Sequence, residues 1–347
     1  MSRSVLLRNG MIYAMADTVA SAMLVAGDRI EWTGTEPQAA AYADSADEVI
    51  DLGGALVTPA FVDAHVHVLP TALSERGVDV AASRSLPDFL ERLAAYAAAH
   101  PGEPVTGQGW DEHAWPEGRP PTREEVDRAA NGAVVLLGRV DGHSSVVSTA
   151  LLEHAPAVAA ADGYEGALVR REAQTVARRA LQDTIPDEQR RALHRHVLRR
   201  AAALGIGAVH EMAAPHITSE HDLRQLVALS RSEPLPEVVP YWGEADVERS
   251  RALGAAGAAG DLTLDGSLGS RSARLTRPYA DAPSTRGQLY LDVDAAAEHV
   301  VACTEAGLQA GFHCIGDEAV RVAVGALLHA AERCGEAAVR ASRHRLE

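Results

Sequence analysis

Thr58-Pro59-Ala60-Phe61-Val62-Asp63-Ala64-His65-Val66-His67 decides how this chain is read. Ala60-Phe61-Val62 reads as a strand, and in a strand residues i and i+2 point the same way. His65 and His67 therefore face one centre from the strand's end, which is how a sheet presents two imidazole nitrogens to zinc or a similar ion. Asp63 could hold one of those imidazoles from behind. On spacing alone, His-x-His is balanced between metal binding and polar coincidence, so the surrounding sequence has to decide.

On the N-terminal side, residues 1–57 read as short strands joined by turns: Ser4-Val-Leu-Leu-Arg8, Met11-Ile-Tyr13, Ala22-Met-Leu-Val25, a turn at Gly27-Asp-Arg29, Ile30-Glu-Trp-Thr33, and Glu48-Val-Ile-Asp-Leu52 closing on Gly53-Gly54. On the C-terminal side, residues 58–347 alternate apolar runs with helices, the pattern of a parallel α/β architecture. Ser85 with Pro87 and Asp88 predicts a helix start, with Phe89, Leu90, Leu93 and Tyr96 on one face and Pro101-Gly102 as its stop. Thr122 and Glu125 form a capping box. Thr184, Pro186 and Asp187 open a helix running to Leu204, stopped by Gly205, with Leu193, Val197, Ala201 and Leu204 on its buried side. Strands are expected at Val134–Leu137, Ile206–Val209, Glu237–Trp242, Leu262–Leu264 and Leu308–Phe312.

Composition excludes several functions. With 48 acidic and 32 basic residues the net charge is −16, which disfavours nucleic acid and anionic membrane as partners. A small-molecule substrate is expected, and homo-oligomerisation stays open. There is no lysine, so every basic side chain is arginine. That removes phosphate-loop enzymes and imine-forming lysine enzymes at once. Neither a dinucleotide fingerprint after a strand nor a Gly-x-Ser-x-Gly elbow is found. Cys303, Cys314 and Cys334 are few and lack zinc-finger spacing, no apolar run approaches the roughly 18 residues of a membrane span, and Arg3 and Arg8 flank only a short apolar run. These features predict a soluble, cytoplasmic chain.

Polar residues at expected strand ends extend the candidate site. Arg139 and His143 could position substrate, or His143 could cap a turn; His210 and Glu211 follow a strand in the same way. Trp110 and Trp115 flank Asp111-Glu-His113, where they could shape an apolar substrate pocket or pack the loop. His194 and His196, among Arg190, Arg191, Arg195, Arg199 and Arg200, read as a solvated helix face.

Six further segments, Gly107-Gln-Gly-Trp-Asp-Glu112, Pro120-Pro-Thr-Arg-Glu-Glu-Val-Asp127, Arg139-Val-Asp-Gly-His143, Gly205-Ile-Gly-Ala-Val-His-Glu-Met212, Asp265-Gly-Ser-Leu-Gly-Ser-Arg271 and His313-Cys-Ile-Gly-Asp317, follow the Gly53–Asp63 run. In that order they resemble the landmarks of the amidohydrolase superfamily, in its YtcJ-like branch, or family 3. The resemblance implies a TIM-like (β/α)₈ barrel with its site at the C-terminal rim, a β-sandwich built from the chain ends, and a metal-dependent hydrolase. Carried over by position, it makes His65 and His67 ligands from the first barrel strand and His313 a ligand from the fifth, the plain alternative for His313 being a buried, hydrogen-bonded histidine.

Two departures follow. Relatives place a carboxylated lysine four residues before the Asp-Gly-Ser segment, bridging two metals; here that residue is Asp261. Aspartate is shorter, so one zinc-like divalent ion is expected rather than two, while a turn role after Gly260 is the competing reading of Asp261. Second, Arg343–Glu347 matches the sixth strand, so about six strands are expected here, and the last two, with the general-base aspartate, are expected beyond residue 347. The resulting expectation is a truncated amidohydrolase that cleaves a carbon–nitrogen bond through metal-activated water. Its rivals are an inactive fragment and a metal-dependent esterase or lactonase.

Overall fold

The computed structural model describes residues 3–14 and 20–347. The chain divides into two compact units, Met1–Phe61 and Val62–Glu347. In the first, β1 (Ser4–Arg8), β2 (Met11–Ile12), β3 (Ala22–Ala26), β4 (Arg29–Gly34), α1 (Glu36–Ala43), β5 (Glu48–Asp51) and β6 (Leu56–Val57) form a four-stranded sheet, β4-β3-β1-β5, and a two-stranded sheet, β2-β6. β1 runs antiparallel to β3 and parallel to β5. The turn between β3 and β4 uses Gly27 at φ +62°, and Leu6, Ala22 and Ala39 are buried together beneath α1.

The second unit opens with β7 (Phe61–Val66), α2 (Val68–Arg76), α3 (Leu86–Ala99), β8 (Val105–Trp110), α4 (Arg123–Ala130), β9 (Val135–Arg139), β10 (Ser144–Val147), α5 (Thr149–His154), α6 (Ala157–Ala160), β11 (Tyr164–Glu165), β12 (Leu168–Arg170) and α7 (Arg171–Asp183). It continues with α8 (Asp187–Ala203), β13 (Ile206–Ala213), α9 (Glu220–Ser232), β14 (Glu237–Trp242), α10 (Val247–Ala252), β15 (Gly257–Ala258), α11 (Val293–Ala306), β16 (Gln309–Phe312), α12 (Asp317–Cys334), α13 (Glu336–Ser342) and β17 (Arg345–Leu346). A curled half-barrel sheet in the order β17-β16-β15-β14-β13-β7 carries the site. Its neighbours from β13 to β17 are parallel, and helices pack over it. The expected strand at Val134–Leu137 goes elsewhere: as β9 it joins a separate five-stranded sheet, β11-β12-β10-β9-β8, parallel to β8 but antiparallel to β10.

Local signals in the sequence fix the helix starts. Ser85 Oγ accepts the Asp88 N–H at 3.2 Å and α3 buries Leu86, Phe89, Leu93 and Ala97, with Leu90 and Tyr96 partly covered. Thr122 and Glu125 make the reciprocal capping box of α4. α8 begins at Asp187, but Leu204 is its C-cap, one residue past its end, and is exposed rather than buried with Leu193, Val197 and Ala201. Leu262–Leu264 is not a strand. Gly260 (φ +79°) and Asp261 (φ +43°) are both left-handed, which breaks extended backbone, so pairing with β16 is carried by Gly257–Ala258 and one further bridge, Thr263 to His313. Among the described residues, no helix is long and apolar enough to cross a membrane.

Candidate functional site

His65 lies on β7 and His67 one residue beyond its end, and Asp261 is turned toward them by the left-handed pair after β15. His67 Nε2 lies 2.8 Å and His65 Nε2 3.8 Å from Asp261 Oδ2; His313 Nδ1, just past β16, lies 3.3 Å from Oδ1. In its backbone Asp261 is the turn residue that one reading gave it, at φ +43°, and its carboxylate sits among three imidazoles. His65 Nδ1 also meets Glu347 Oε2 at 3.2 Å.

The electrostatics of this group are those of a cation site. Burial works against ionising Asp261, yet hydrogen bonds from His313, His65 and His67 hold its carboxyl far below its ordinary value. The same bond to Asp261, and then Glu347, raises His65 to about 10. Burial opposes charge on His313, but its bond to Asp261 raises it nonetheless. With no cation present, His65 and His313 are thus held toward the carboxylate as proton donors. A divalent cation satisfies the same nitrogens and oxygen with neutral rings, and His65, His67 and Asp261 offer one donor atom each within 4.8 Å of one another. His67 Nδ1 is buried without a partner, so hydrogen bonding from that side does not explain why the ring is held. The residues present fit a metal ion.

Above the centre opens a cavity of about 1360 Å³, lined among others by His65, His67, His143, His216, Asp261 and His313. His143 belongs to it, its ring 5.8 Å from that of His313. Burial, helped by the field of His313, lowers its pKa and keeps it neutral. His216 was not singled out from the sequence, although it lies three residues past the end of β13, where strand C-termini face a site. Burial lowers it to about 4.

Four expected contacts are corrected. Trp110 is 1% exposed: its indole stacks on Trp115 at 5.9 Å and donates to the Leu137 carbonyl at 2.9 Å, so the large ring fills the core around Phe89 instead of a substrate pocket. Arg139 does not line the cavity. It is buried against Asp111 (3.0 Å), Glu112 (2.8 Å) and Asp141 (3.2 Å), three carboxylates that occupy its guanidinium. His210 stays in the sheet, its Nδ1 facing Arg345 Nη1 at 2.7 Å and its ring 5.5 Å from Tyr241. Asp63 holds no imidazole; its Oδ1 accepts the His65 backbone N–H at 3.2 Å.

Glu211 has a structural place behind the centre. Fully buried, it accepts the Val68 N–H at 2.8 Å, and burial pushes its pKa up to about 8. It thereby fixes the backbone immediately after His67. Nor is the α8 face solvated throughout: Arg190 and His194 are buried, donating to Asp222 at 3.1 and 2.9 Å.

With this geometry in view, comparison with known proteins identifies the class. The chain belongs to the amidohydrolase family, whose model matches residues 48–347. It is 25% identical over 346 residues to YtcJ of Bacillus subtilis (strain 168), named as an amidohydrolase, covering 92% of this chain and 64% of that protein. A shorter match, 31% over 140 residues, covers 40% of this chain and 26% of the N-substituted formamide deformylase of Arthrobacter pascens. An uncharacterized metal-dependent hydrolase from Pyrococcus furiosus superposes with a TM-score of 0.70 at 26% identity, over 94% of this chain and 70% of that one. The chain spans about three fifths of the length of the curated relatives that it matches from end to end.

Proposed function

We propose that this chain carries the metal centre and substrate cavity of a hydrolase that cleaves a carbon–nitrogen bond in an amide-like group of a small molecule. One zinc ion is held by His65, His67, His313 and Asp261, on the TIM-like barrel typical of the family. The observation that carries this is the convergence of three imidazoles on the Asp261 carboxylate at the cavity wall. The formamide deformylase match favours a carbon–nitrogen bond over an ester.

A divalent cation at this centre supplies Lewis acidity, acidifying water and polarising a carbonyl. The chain's own residues set the rest. Asp261 fixes the imidazoles of the centre, and Glu211, uncharged at neutral pH, locks the strand end that carries His67. His143 and His216, held neutral in the cavity wall, can each accept a proton or hydrogen-bond a substrate carbonyl. The absence of lysine leaves no carbamate to bridge a second ion, which favours one metal.

Metal analysis and turnover of matched amide and ester substrates test the reading together. One zinc per chain is expected, amides hydrolysed faster than esters, and His67→Ala losing both the metal and at least about a thousandfold in kcat/KM. Two metal equivalents in active protein would overturn the single-ion reading, and ester-only turnover the carbon–nitrogen one.

A further inference from the structure

We infer that Arg178 is an anion-recognising residue of the substrate cavity, so that the amide taken by this site carries a carboxylate. The inference rests on the amide-hydrolase reading above and adds the substrate's charge to it. Arg171, Gln174, Thr175, Arg178, Leu181 and Gln182 line the cavity at helical spacing, so one largely polar stripe of α7 faces it. The apolar face opposite, Ala173, Val176 and Ala177, is packed into the neighbouring core, which fixes the rotation of the helix.

On that stripe Arg178 differs in its partners. Its Nη2 donates to the Gly142 carbonyl at 2.6 Å, an oxygen shared with Gln174 Nε2 at 2.9 Å. Among the described residues, no carboxylate lies within ion-pairing distance of it. The other arginines that line the cavity are each paired with an acid, Arg170 with Glu165 at 3.8 Å, Arg171 with Asp162 at 2.6 Å and Arg271 with Asp281 at 2.8 Å, and Arg139 outside it with three. Among the described residues, Arg178 is therefore the cavity-lining arginine left without an acid, in a chain with 48 acidic residues against 32 arginines. Among the described residues, Nε and Nη1 have no acceptor and neither is sealed from solvent, so the second Nη2 hydrogen together with Nε or Nη1 leaves one fork open at the cavity that Arg178 lines.

A planar fork with free N–H groups matches a carboxylate in two parallel hydrogen bonds. Burial lowers the Arg178 pKa, with the field of Asp261 opposing it, and the arginine remains a cation. Asp261 is committed to the imidazoles of the centre, so the positive charge on Arg178 is left for whatever enters. Gly142 precedes His143, which places the tethered guanidinium on the side of the cavity where the neutral imidazole stands.

The test uses the protein as isolated, with its metal, and ligands that cannot react. Phenylacetate and 3-phenylpropionate are titrated by ligand-observed NMR beside the matching neutral alcohols, 2-phenylethanol and 3-phenylpropanol. Each acid is expected to bind at least about fivefold tighter than its alcohol, and Arg178→Gln to remove that preference while leaving alcohol affinity within about twofold. Acids binding no better than alcohols overturn the proposal, as does a preference that survives in R178Q, since it then comes from the metal or elsewhere. Should R178Q fail to fold, Arg178→Lys decides: a threefold or larger loss of acid affinity supports the guanidinium fork, and unchanged affinity overturns it. Zinc content and amide turnover are read on the same samples. An acid preference in protein that holds no zinc and hydrolyses no amide separates failure of the amide reading from failure of this one.

Discussion

A buried carboxyl can brace a candidate site from behind, and Glu211 shows how. Its Oε2 accepts the backbone N–H of Val68, one residue after His67, while burial lifts its pKa to about 8. The ordinary value in an unfolded chain is near 4.3. A raised folded pKa means that the stability the group contributes is complete below about pH 4 and is lost as pH rises toward 8, where the buried carboxyl is forced to ionise. Glu211→Gln keeps an acceptor for Val68 and cannot ionise. In metal-free protein E211Q is therefore expected to match the natural chain at pH 4.5 and to exceed its unfolding free energy by on the order of 3 kcal/mol at pH 8. Urea melts at the two pH values measure this, and parallel pH dependence in both proteins would sink it. Glu211→Ala orphans the Val68 N–H and is expected to cost about 1–3 kcal/mol at either pH.

At the scale of elements, what decides the centre is the break after β15. Gly260 brings the chain round at φ +79°, and a Cβ there would meet Met212 Sδ at 2.7 Å and Met212 Cα at 3.0 Å. Gly260→Ala combines backbone strain with that clash, so a loss of about 2 kcal/mol in unfolding free energy is expected, with metal affinity lowered at least tenfold as Asp261 shifts. Calorimetric metal titration of the folded variant checks the second part; unchanged affinity would show that Asp261 does not depend on this turn. The break also shows what could be read in the sequence. His65 and His67 were legible because strand period two is a local rule, and Ser85 and Thr122 because caps are local too. Leu262–Leu264 misled because alternating apolar residues look alike whether or not two left-handed residues precede them. Trp110 misled because a large aromatic in a polar loop motif fits a pocket rim and a core equally well; only the packing against Phe89 and Trp115 separates them.

Across the second unit, α7 must be held against its neighbouring helices if it is to present its polar stripe to the cavity, and a charged network at the junction of α7, α8 and α9 ties them together. Asp222, 1% exposed, accepts from Arg190 Nη1 (3.1 Å), His194 Nε2 (2.9 Å) and Thr218 Oγ1 (2.8 Å), while Arg190 Nη2 donates to the Gln182 carbonyl at the end of α7 (2.8 Å). None of this was legible in sequence, where arginines spaced through a helix look like a solvated face; burial of one arginine and one histidine depends on an aspartate 28 or more residues away. Burial works against the Asp222 charge, but the bond from His194 and then that from Thr218 keep its pKa below the ordinary value. The stability it contributes is therefore present above about pH 4, where the unfolded carboxyl is ionised, and is lost only as pH falls below that through the still lower folded value. Asp222→Asn keeps the shape but leaves Arg190 as a buried cation with carbonyl partners alone, a change that costs about 3–5 kcal/mol when a buried pair is broken. Above pH 5, D222N is expected to lose that much in urea melts, and where it remains folded, to bind a divalent metal as the natural chain does. The cavity stripe of α7 is expected to loosen first, which amide hydrogen exchange across 171–183 reads directly. If exchange there stays as slow as in the natural chain while global stability falls, the network holds the fold together without positioning α7.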